Sequence, residues 1–408
     1  MIIRDYQLKL AEQAHDLLCS FKIAYLCMEV RTGKTLTAFH AAKIYGANKV
    51  LFVTKLKAIS SIKKDYDAAA PGFSLYLINY ESLHKCDADF DLVILDECHC
   101  LSQYPTPAER TKELKRICKD KPIIYLSGTP SPESYSQFFH QFYVSTFSPW
   151  SHYQTFYKWF KDYGIQKVKY LYNRQIADYS VSKKEDVLND IKKYMITYTQ
   201  EDAGFESMVD EKVLRIPMPD NMKNAIRILR RDKIFKTKEG GVVLADTAVK
   251  EMQKVHQLCS GTVKYEDGNA AVFDYSKAEF IRDNFKGKKI AIFYKYVAEA
   301  AQLKVVFNPK ITTDPMEFNQ TDDLVFISQI QSGREGINLS TADCLIMYNI
   351  DFSAVSYWQA RARLQTKDRT APAIVYWIFT DGGIEEKIYN VVQSKKDFTL
   401  NHYKKSGF

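Results

Sequence analysis

Short apolar runs and amphipathic stretches alternate along the first 145 residues. Strand-like runs occur at Ile23–Met28, Val50–Thr54, Leu75–Ile78, Leu92–Leu95 and Ile123–Ser127. Between them the apolar positions recur at helical spacing over Tyr6–Ser20, Lys34–Tyr45, Ala58–Ala70 and Pro107–Cys118. Strands alternating with helices predict a parallel α/β sheet. From about Thr146 to Gly261 aromatic and charged residues crowd together and the pattern is mostly helical. From Ser276 the alternation returns, with strands expected at Lys289–Tyr294, Leu324–Ser328, Cys344–Tyr348 and Ala373–Phe379. The expected architecture is α/β: parallel-sheet lobes over 1–145 and 276–408, with a mainly helical insert over 146–275 between them.

The length of 408 residues allows two to four domains. With 46% apolar and 26% charged residues the composition is that of a globular protein, which excludes disordered, collagen-like and coiled-coil chains. No apolar run approaches the roughly 18 residues that span a bilayer. The N-terminus, Met1-Ile-Ile-Arg-Asp-Tyr-Gln, lacks the basic and apolar regions of a signal peptide. A soluble protein without a membrane partner is expected, in the cytoplasm of a bacterial or phage-infected cell. The net charge of +8 permits nucleic-acid binding without requiring it. Eight cysteines are too few for a disulfide framework. Cys86, Cys98, Cys100 and Cys118 lie close in sequence but form no C-x-x-C pair, so free thiols are expected rather than a zinc site.

Strand Ile23–Met28 runs into Glu29-Val-Arg-Thr32-Gly33-Lys34-Thr35 and then a helix. This is the setting of a phosphate-binding loop. Gly33 lets the backbone approach phosphate, and the helix N-terminus offers unpaired N–H groups and a favourable dipole. Lys34 would reach the β- and γ-phosphates, and the Thr35 hydroxyl would ligate Mg2+. The usual pattern places glycine where this chain has Met28, so Gly-Lys-Thr alone is also compatible with an ordinary helix start.

A second feature lies 62 residues further on. The apolar run Asp91-Leu-Val-Ile-Leu ends in Asp96-Glu97-Cys98-His99. At a strand end Asp96 can hold Mg2+, and Glu97 can orient and deprotonate the attacking water. Ser127-Gly128-Thr129-Pro130 then follows the strand Ile123–Leu126.

In this order the residues resemble superfamily 2 nucleic-acid translocases, and most closely the Swi/Snf-type ATPases. Arg4-Asp-Tyr-Gln7 is similar to that family's adenine-reading element. Glu29–Thr35 resembles its phosphate loop, which likewise lacks the first glycine. Asn79-Tyr-Glu-Ser-Leu83, Asp96–His99 and Ser127–Pro130 resemble its T-Y-E-x-L, D-E-x-H and S-G-T-P elements. In the second half Ala291–Lys295 resembles motif IV, and Ser332–Asp343 the G-G-x-G-x-N-L-x-x-A-D motif. Gln359–Arg363 falls where motif VI begins, and Asp381–Ile388 resembles G-T-I-E-E-K-I with Gly383 in place of Thr. The resemblance implies two RecA-like lobes facing across an ATP cleft, with ATP and Mg2+ as cofactors. It implies nucleotide contacts at Arg4, Gln7, Thr32, Gly33, Lys34, Thr35 and Gly336, and metal ligation by Thr35 and Asp96. It also implies catalysis by Lys34, Glu97 and an arginine finger. The family pattern Q-x-x-x-R-x-x-R is met by Gln359 and Arg363, but Thr366 stands at the second arginine; Lys367 and Arg369 follow. Arg363 is therefore taken as the finger, and the second one stays open.

Nucleic-acid contacts are expected from Lys55 and Lys57 after the second strand, and from Arg334 and Asn338 in the second half. Such contacts to phosphate carry no base information. Seven aromatics, Trp150, Tyr153, Phe156, Tyr157, Trp159, Phe160 and Tyr163, interleave with Lys158 and Lys161. They suit base stacking, but their spacing is that of one apolar helix face, which favours a core. Lys223, Arg227, Arg230, Arg231, Lys233, Lys236 and Lys238 are opposed only by Asp232, as in a DNA surface or a solvated helix.

The function expected is an ATP-dependent translocase on double-stranded DNA. A strand-separating helicase and an ATP-gated nucleic-acid-binding switch are the alternatives. Duplex DNA is the expected partner, with replication or recombination proteins beside it, and the chain is expected to be a monomer. Its span from the adenine element to just past the last motif suggests a stripped core of the kind a phage or mobile element carries, without chromatin-remodelling modules.

Overall fold

The computed structural model describes residues 3–131, 133–171, 174–205, 209–237, 240–333, 337, 339–353, 356, 359–360, 362–364 and 372–394. Two compact units divide the chain, Met1–Gly204 and Phe205–Ser394.

The first unit is built on a six-stranded sheet. Its strands are β1 (Ile23–Met28), β2 (Lys49–Thr54), β3 (Ser74–Asn79), β4 (Leu92–Asp96), β5 (Ile123–Ser127) and β8 (Met195–Tyr198), in the order β3-β2-β4-β5-β1-β8. Every pairing is parallel. The hairpin β6 (Lys167–Leu171) and β7 (Arg174–Asp178) lies outside this sheet. All five strands expected from the sequence are present. The central ones, β1, β4 and β5, are buried throughout, because helices cover both faces of a parallel sheet. Alternate residues of β1 serve opposite faces: Ile23, Tyr25 and Cys27 enter one core, and Ala24, Leu26 and Met28 the other. The helices α1 (Asp5–Phe21) and α2 (Lys34–Tyr45) cover the second face, with α3 (Ile59–Ala69) beside α2.

The aromatic block of 150–163 belongs to the first core. Helix α6 (Phe156–Tyr163) buries Phe156, Trp159 and Phe160 against α5 (Phe138–Phe142), and Trp150 joins them. Trp159 stacks on Tyr163 at 5.1 Å. Only Tyr157 of the block is more than half exposed, at 52%. These rings therefore pack a core rather than present a stacking platform.

The second unit also carries a six-stranded parallel sheet, ordered β15-β16-β14-β17-β18-β9. Its strands are β9 (Val209–Ile216), β14 (Ile290–Tyr294), β15 (Ile311–Thr312), β16 (Val325–Gln329), β17 (Cys344–Met347) and β18 (Ala373–Thr380). Between β9 and β14 lie α8 (Asp220–Asp232), the hairpin β10 (Ile234–Lys236) and β11 (Val242–Leu244), α9 (Ala248–Cys259), the hairpin β12 (Thr262–Lys264) and β13 (Ala270–Val272), and α10 (Ser276–Asn284).

The stretch 146–275, expected as one mainly helical insert, divides at Gly204 and carries eight strands among its described residues. Its strand β8 pairs with β1 and its strand β9 with β18. Each lies at one edge of its sheet. An edge strand is half exposed and tolerates charge, so Val-Asp-Glu-Lys-Val-Leu-Arg-Ile lacks the apolar run of a central strand.

One buried ion pair ties α10 to the closing motif. Lys277 Nζ lies 3.0 Å from Glu385 Oε1, with side-chain exposures of 3% and 0%. The pair accounts for Gly383. A Cβ there would stand 2.2 Å from Glu385 Oε2 and 2.7 Å from Thr380 O, so the threonine of the family motif does not fit. Lys277→Met is expected to cost about 3–5 kcal/mol, because it strands a buried carboxylate. Urea unfolding measures it, and adding Glu385→Leu is expected to recover most of the loss.

Candidate nucleotide-binding site

The motifs of the first unit gather at the carboxyl ends of β1, β2, β4 and β5, the edge where open α/β sheets bind ligands. The loop after β1 turns into α2 through Gly33, whose φ of +86° is left-handed. A side chain there would also collide with Gln7, since a Cβ would stand 1.9 Å from its Nε2. Both constraints select glycine. Thr32 closes the loop on itself, its hydroxyl donating to Glu29 O at 2.7 Å. Arg31 also has a left-handed backbone, at φ 67°, and partial burial pushes its guanidinium pKa down to about 10.

Gln7, expected at the adenine, packs against the phosphate loop. It is buried; its Oε1 accepts from Arg4 N–H at 2.9 Å and its Nε2 donates to Gly33 O at 3.3 Å. Tyr6 donates to Thr32 O at 3.1 Å. The start of α1 thus braces the phosphate loop, and Gln7 acts on it through Gly33. Arg4 donates from Nη1 to Tyr6 Oη at 3.1 Å.

Lys34 begins α2, and its Nζ donates to Met28 O at 3.1 Å. Gly128, from the turn after β5, lies against the same place. A Cβ on it would stand 3.2 Å from Met28 O and 3.6 Å from Lys34 Nζ. Thr35 is the next residue of the α2 first turn and is partly exposed.

Asp96 ends β4 and is buried, with Thr54 of β2 donating to its Oδ2 at 2.8 Å. Burial and the neighbouring Glu97 raise its pKa to about 6, against the pull of Thr54 and Lys34. Glu97 has left-handed backbone, φ 50° and ψ 43°. That geometry costs a non-glycine residue about 1 kcal/mol or more. His99 Nδ1 lies 3.2 Å from Glu97 Oε2 and 3.2 Å from Ser127 Oγ. Ser127 Oγ in turn accepts from Thr129 N–H at 3.1 Å. His99 therefore joins the carboxylate pair to the Ser-Gly-Thr-Pro turn. Hard oxygen donors at Thr35 and Asp96, with a carboxylate disfavoured as an anion, suit Mg2+.

The Asp96 shift has a stability consequence. Its folded pKa of about 6 exceeds the carboxylate value near 3.9, so the folded chain holds a proton that the unfolded chain lacks between about pH 4 and 6. The cost of ionising Asp96 is absent below that window and complete above it. Without metal, Asp96→Asn is expected to raise stability by about 1–3 kcal/mol at pH 7.5, with the gain gone by about pH 3.5. Chemical unfolding of both proteins at the two pH values measures this.

Four contacts carry no sequence signal. Glu29 N–H donates to Tyr198 O at 3.0 Å, at the end of β8. Gln200 N–H donates to Glu29 Oε2 at 2.7 Å, and Gln200 Nε2 to Val30 O at 3.0 Å. Tyr198 stacks on Tyr6 at 4.8 Å. The loop is thus held from a segment 170 residues away in sequence. Behind the site the buried Gln141 donates to Pro130 O and Ser102 Oγ, both at 2.7 Å, and accepts from Tyr25.

Lys55 and Lys57 follow β2 at the same sheet edge, in and before a 3-10 turn. In the second unit Arg363 is buried, in the 3-10 turn Ala362–Leu364. Arg334, Gly336, Asn338, Arg361, Thr366, Lys367 and Arg369 lie outside the described residues.

Residues 21–260 match the family model described as the SNF2-related domain, which is more than half of the chain. The chain belongs to the SNF2-related domain family. Lys34, Asp96 and Glu97 lie within the matched stretch, and Arg363 beyond it. Among curated relatives, this SNF2-related chain is 20% identical to the CHD3-type chromatin-remodeling factor PICKLE of Arabidopsis thaliana over 370 residues, 81% of this chain and 25% of that protein. It is 38% identical to the DNA excision repair protein CSB of Oryza sativa subsp. japonica over 86 residues, 21% of this chain and 7% of that protein. The chain spans no more than 28% of the length of the first such relatives. A solved Sulfolobus solfataricus SWI2/SNF2 ATPase core in complex with dsDNA is 16% identical, with a TM-score of 0.44 over 98% of this chain and 92% of that one. Among the described residues no helix is long and apolar enough to cross a membrane.

Proposed function

We propose that this SNF2-related chain is an ATP-driven translocase on double-stranded DNA. The observation that carries the reading is the cluster of Lys34, Asp96, Glu97 and His99 at one sheet edge, in a chain of this family. The phosphates of ATP are bound by the loop Glu29–Thr35, with Lys34 turning from Met28 O to the β- and γ-oxygens. Mg2+, when bound by Thr35 and Asp96, neutralises charge on those oxygens. Glu97 accepts the proton of the attacking water, and His99 fixes the carboxylate's orientation. Thr54 keeps Asp96 pointed at the phosphates. Arg363 serves as the finger that stabilises charge on the transferring phosphoryl group. Gly336 completes the nucleotide contacts. Lys55, Lys57, Arg334 and Asn338 hold DNA phosphates, which gives binding without sequence preference.

Steady-state ATP hydrolysis tests the reading, measured with no nucleic acid, single-stranded DNA, duplex DNA and RNA. Strong stimulation by duplex DNA, with displacement of a triplex-forming strand and no separation of a forked duplex, is expected. Preference for single strands with separation of the fork would replace the translocase by a helicase. ATP-dependent binding without movement would leave a switch.

A further inference from the structure

Residues 217–237 and 240–275 form a module of the second unit with an apolar core of its own. Met218, Met222, Ala225, Ile226 and Leu229 pack there with Val243, Val255, Leu258 and Val263. Buried hydrogen bonds attach the module to the sheet of the same unit. Thr380 donates to Cys259 O at 2.6 Å, and Gln302 to Ser260 O at 2.9 Å. His256 Nδ1 lies 2.9 Å from Tyr296 Oη. A force on the module therefore reaches the sheet.

Helix α8 starts just after Ile216, at the carboxyl end of β9, which runs parallel to β18. Lys295 at the end of β14 and Gln329 at the end of β16 stand at the same edge. One face of α8 fills the module core. The opposite face exposes Lys223, Arg227, Arg230 and Arg231. Lys223, Arg227 and Arg230 are spaced i, i+4, i+7, so they form one row about 10 Å long.

Among the described residues, the acids of the module leave Arg227 and Arg230 of this row without an ion pair. Three of its acids meet its own lysines, Asp246 with Lys250, Glu266 with Lys254, and Glu251 with Lys233, while Asp267 and Asp274 accept from Asn269 and Ser276. Arg227 donates to Asn224, a neutral acceptor. Lys223 meets Asp220, which is 91% exposed, and such pairs hold weakly. Arg231 meets its neighbour Asp232. Like charges at i, i+4 work against an isolated helix, so helix formation does not account for the row. An anion does. The row carries no apolar or aromatic side chain, whereas protein interfaces centre on such anchors. Contacts to nucleic-acid phosphates need cations alone.

We infer that the α8 row grips the phosphodiester backbone of duplex DNA as a second, sequence-independent contact of this unit, beyond the motif contacts. The inference rests on the translocase reading.

The test uses the double variant Arg227→Gln with Arg230→Gln and the charge-keeping pair Arg227→Lys with Arg230→Lys, in the full chain. Affinity for a mixed-sequence duplex is measured by fluorescence anisotropy across a salt series. Two lost phosphate contacts lower the slope of log Kd against log salt by about 1.8 and weaken binding about 60-fold near 0.1 M salt. Basal ATP hydrolysis stays unchanged, and the lysine pair keeps the wild-type slope. An unchanged slope in the glutamine variant, beside a wild type that binds, overturns this inference alone. So does a lysine pair as weak as the glutamine pair. A wild type that binds no duplex overturns both this inference and the translocase reading.

Discussion

Glu97→Gln is expected to lower DNA-stimulated ATP hydrolysis about 10³-fold while leaving ATP binding within a few-fold of the wild type. Glutamine keeps the size of the side chain and can still meet His99 Nδ1, which lies 3.2 Å from Oε2. What it lacks is a basic oxygen. A positioned general base contributes about 10²–10⁴ in rate. The backbone supports the same assignment, because Glu97 holds a left-handed φ of 50° directly after a buried strand. Such strain gathers where a side chain must be aimed. Replacing Glu97 also removes the repulsion that helps raise Asp96, so metal affinity should not fall. Single-turnover hydrolysis beside fluorescent-nucleotide binding separates the two effects. Retained turnover in the variant would assign the base elsewhere.

Lys34→Ala is expected to abolish both ATP binding at micromolar nucleotide and detectable hydrolysis, a loss of about 10³-fold or more, consistent with the weight such phosphate-clamping charges carry. Its Nζ rests on Met28 O at 3.1 Å, and its charge opposes the rise that burial causes in the pKa of both Asp96 and Cys27. The ammonium thus stands between the loop and the acidic pair. It is only partly buried, so the variant should fold, and circular dichroism checks that. Hydrolysis by Lys34→Ala at the wild-type rate would remove the phosphate-loop assignment.

The two variants differ in kind. Lys34 acts on ground-state binding and on the developing charge, whereas Glu97 acts on the proton alone. ATP binding is therefore expected to separate them where turnover does not.

Much of the site could be read before folding, because its signals are local. A strand, a glycine and a helix start within a dozen residues bring Gly33, Lys34 and Thr35 together. Asp96 and Glu97 follow from an apolar run that ends in acids. The central strands were equally legible, since burial on both faces leaves little room for polar residues. The helical spacing of Trp150, Phe156 and Phe160 already favoured a core over a stacking platform, and their burial agrees.

The rest depended on contacts distant in sequence. Strands β8 and β9 are short or charged, and only pairing with β1 and β18 makes them strands. That pairing assigns 146–204 to one unit and the stretch from 205 to the other. The amide of Gln7 braces Gly33, a contact its motif does not announce, because α1 lies against the phosphate loop. Gln200 shows no motif, but the register of β8 against β1 delivers it to Glu29 and Val30. Gly383 departs from its motif for a reason seen only once Lys277 and Glu385 meet inside the fold. The sequence by itself determined the order of strands, loops and helices and the chemistry at the strand ends, because short-range pattern and residue type suffice for both. The tertiary structure decided which strands close each sheet and which side chains hold the loop, because pairing and close approach join residues that no local pattern connects.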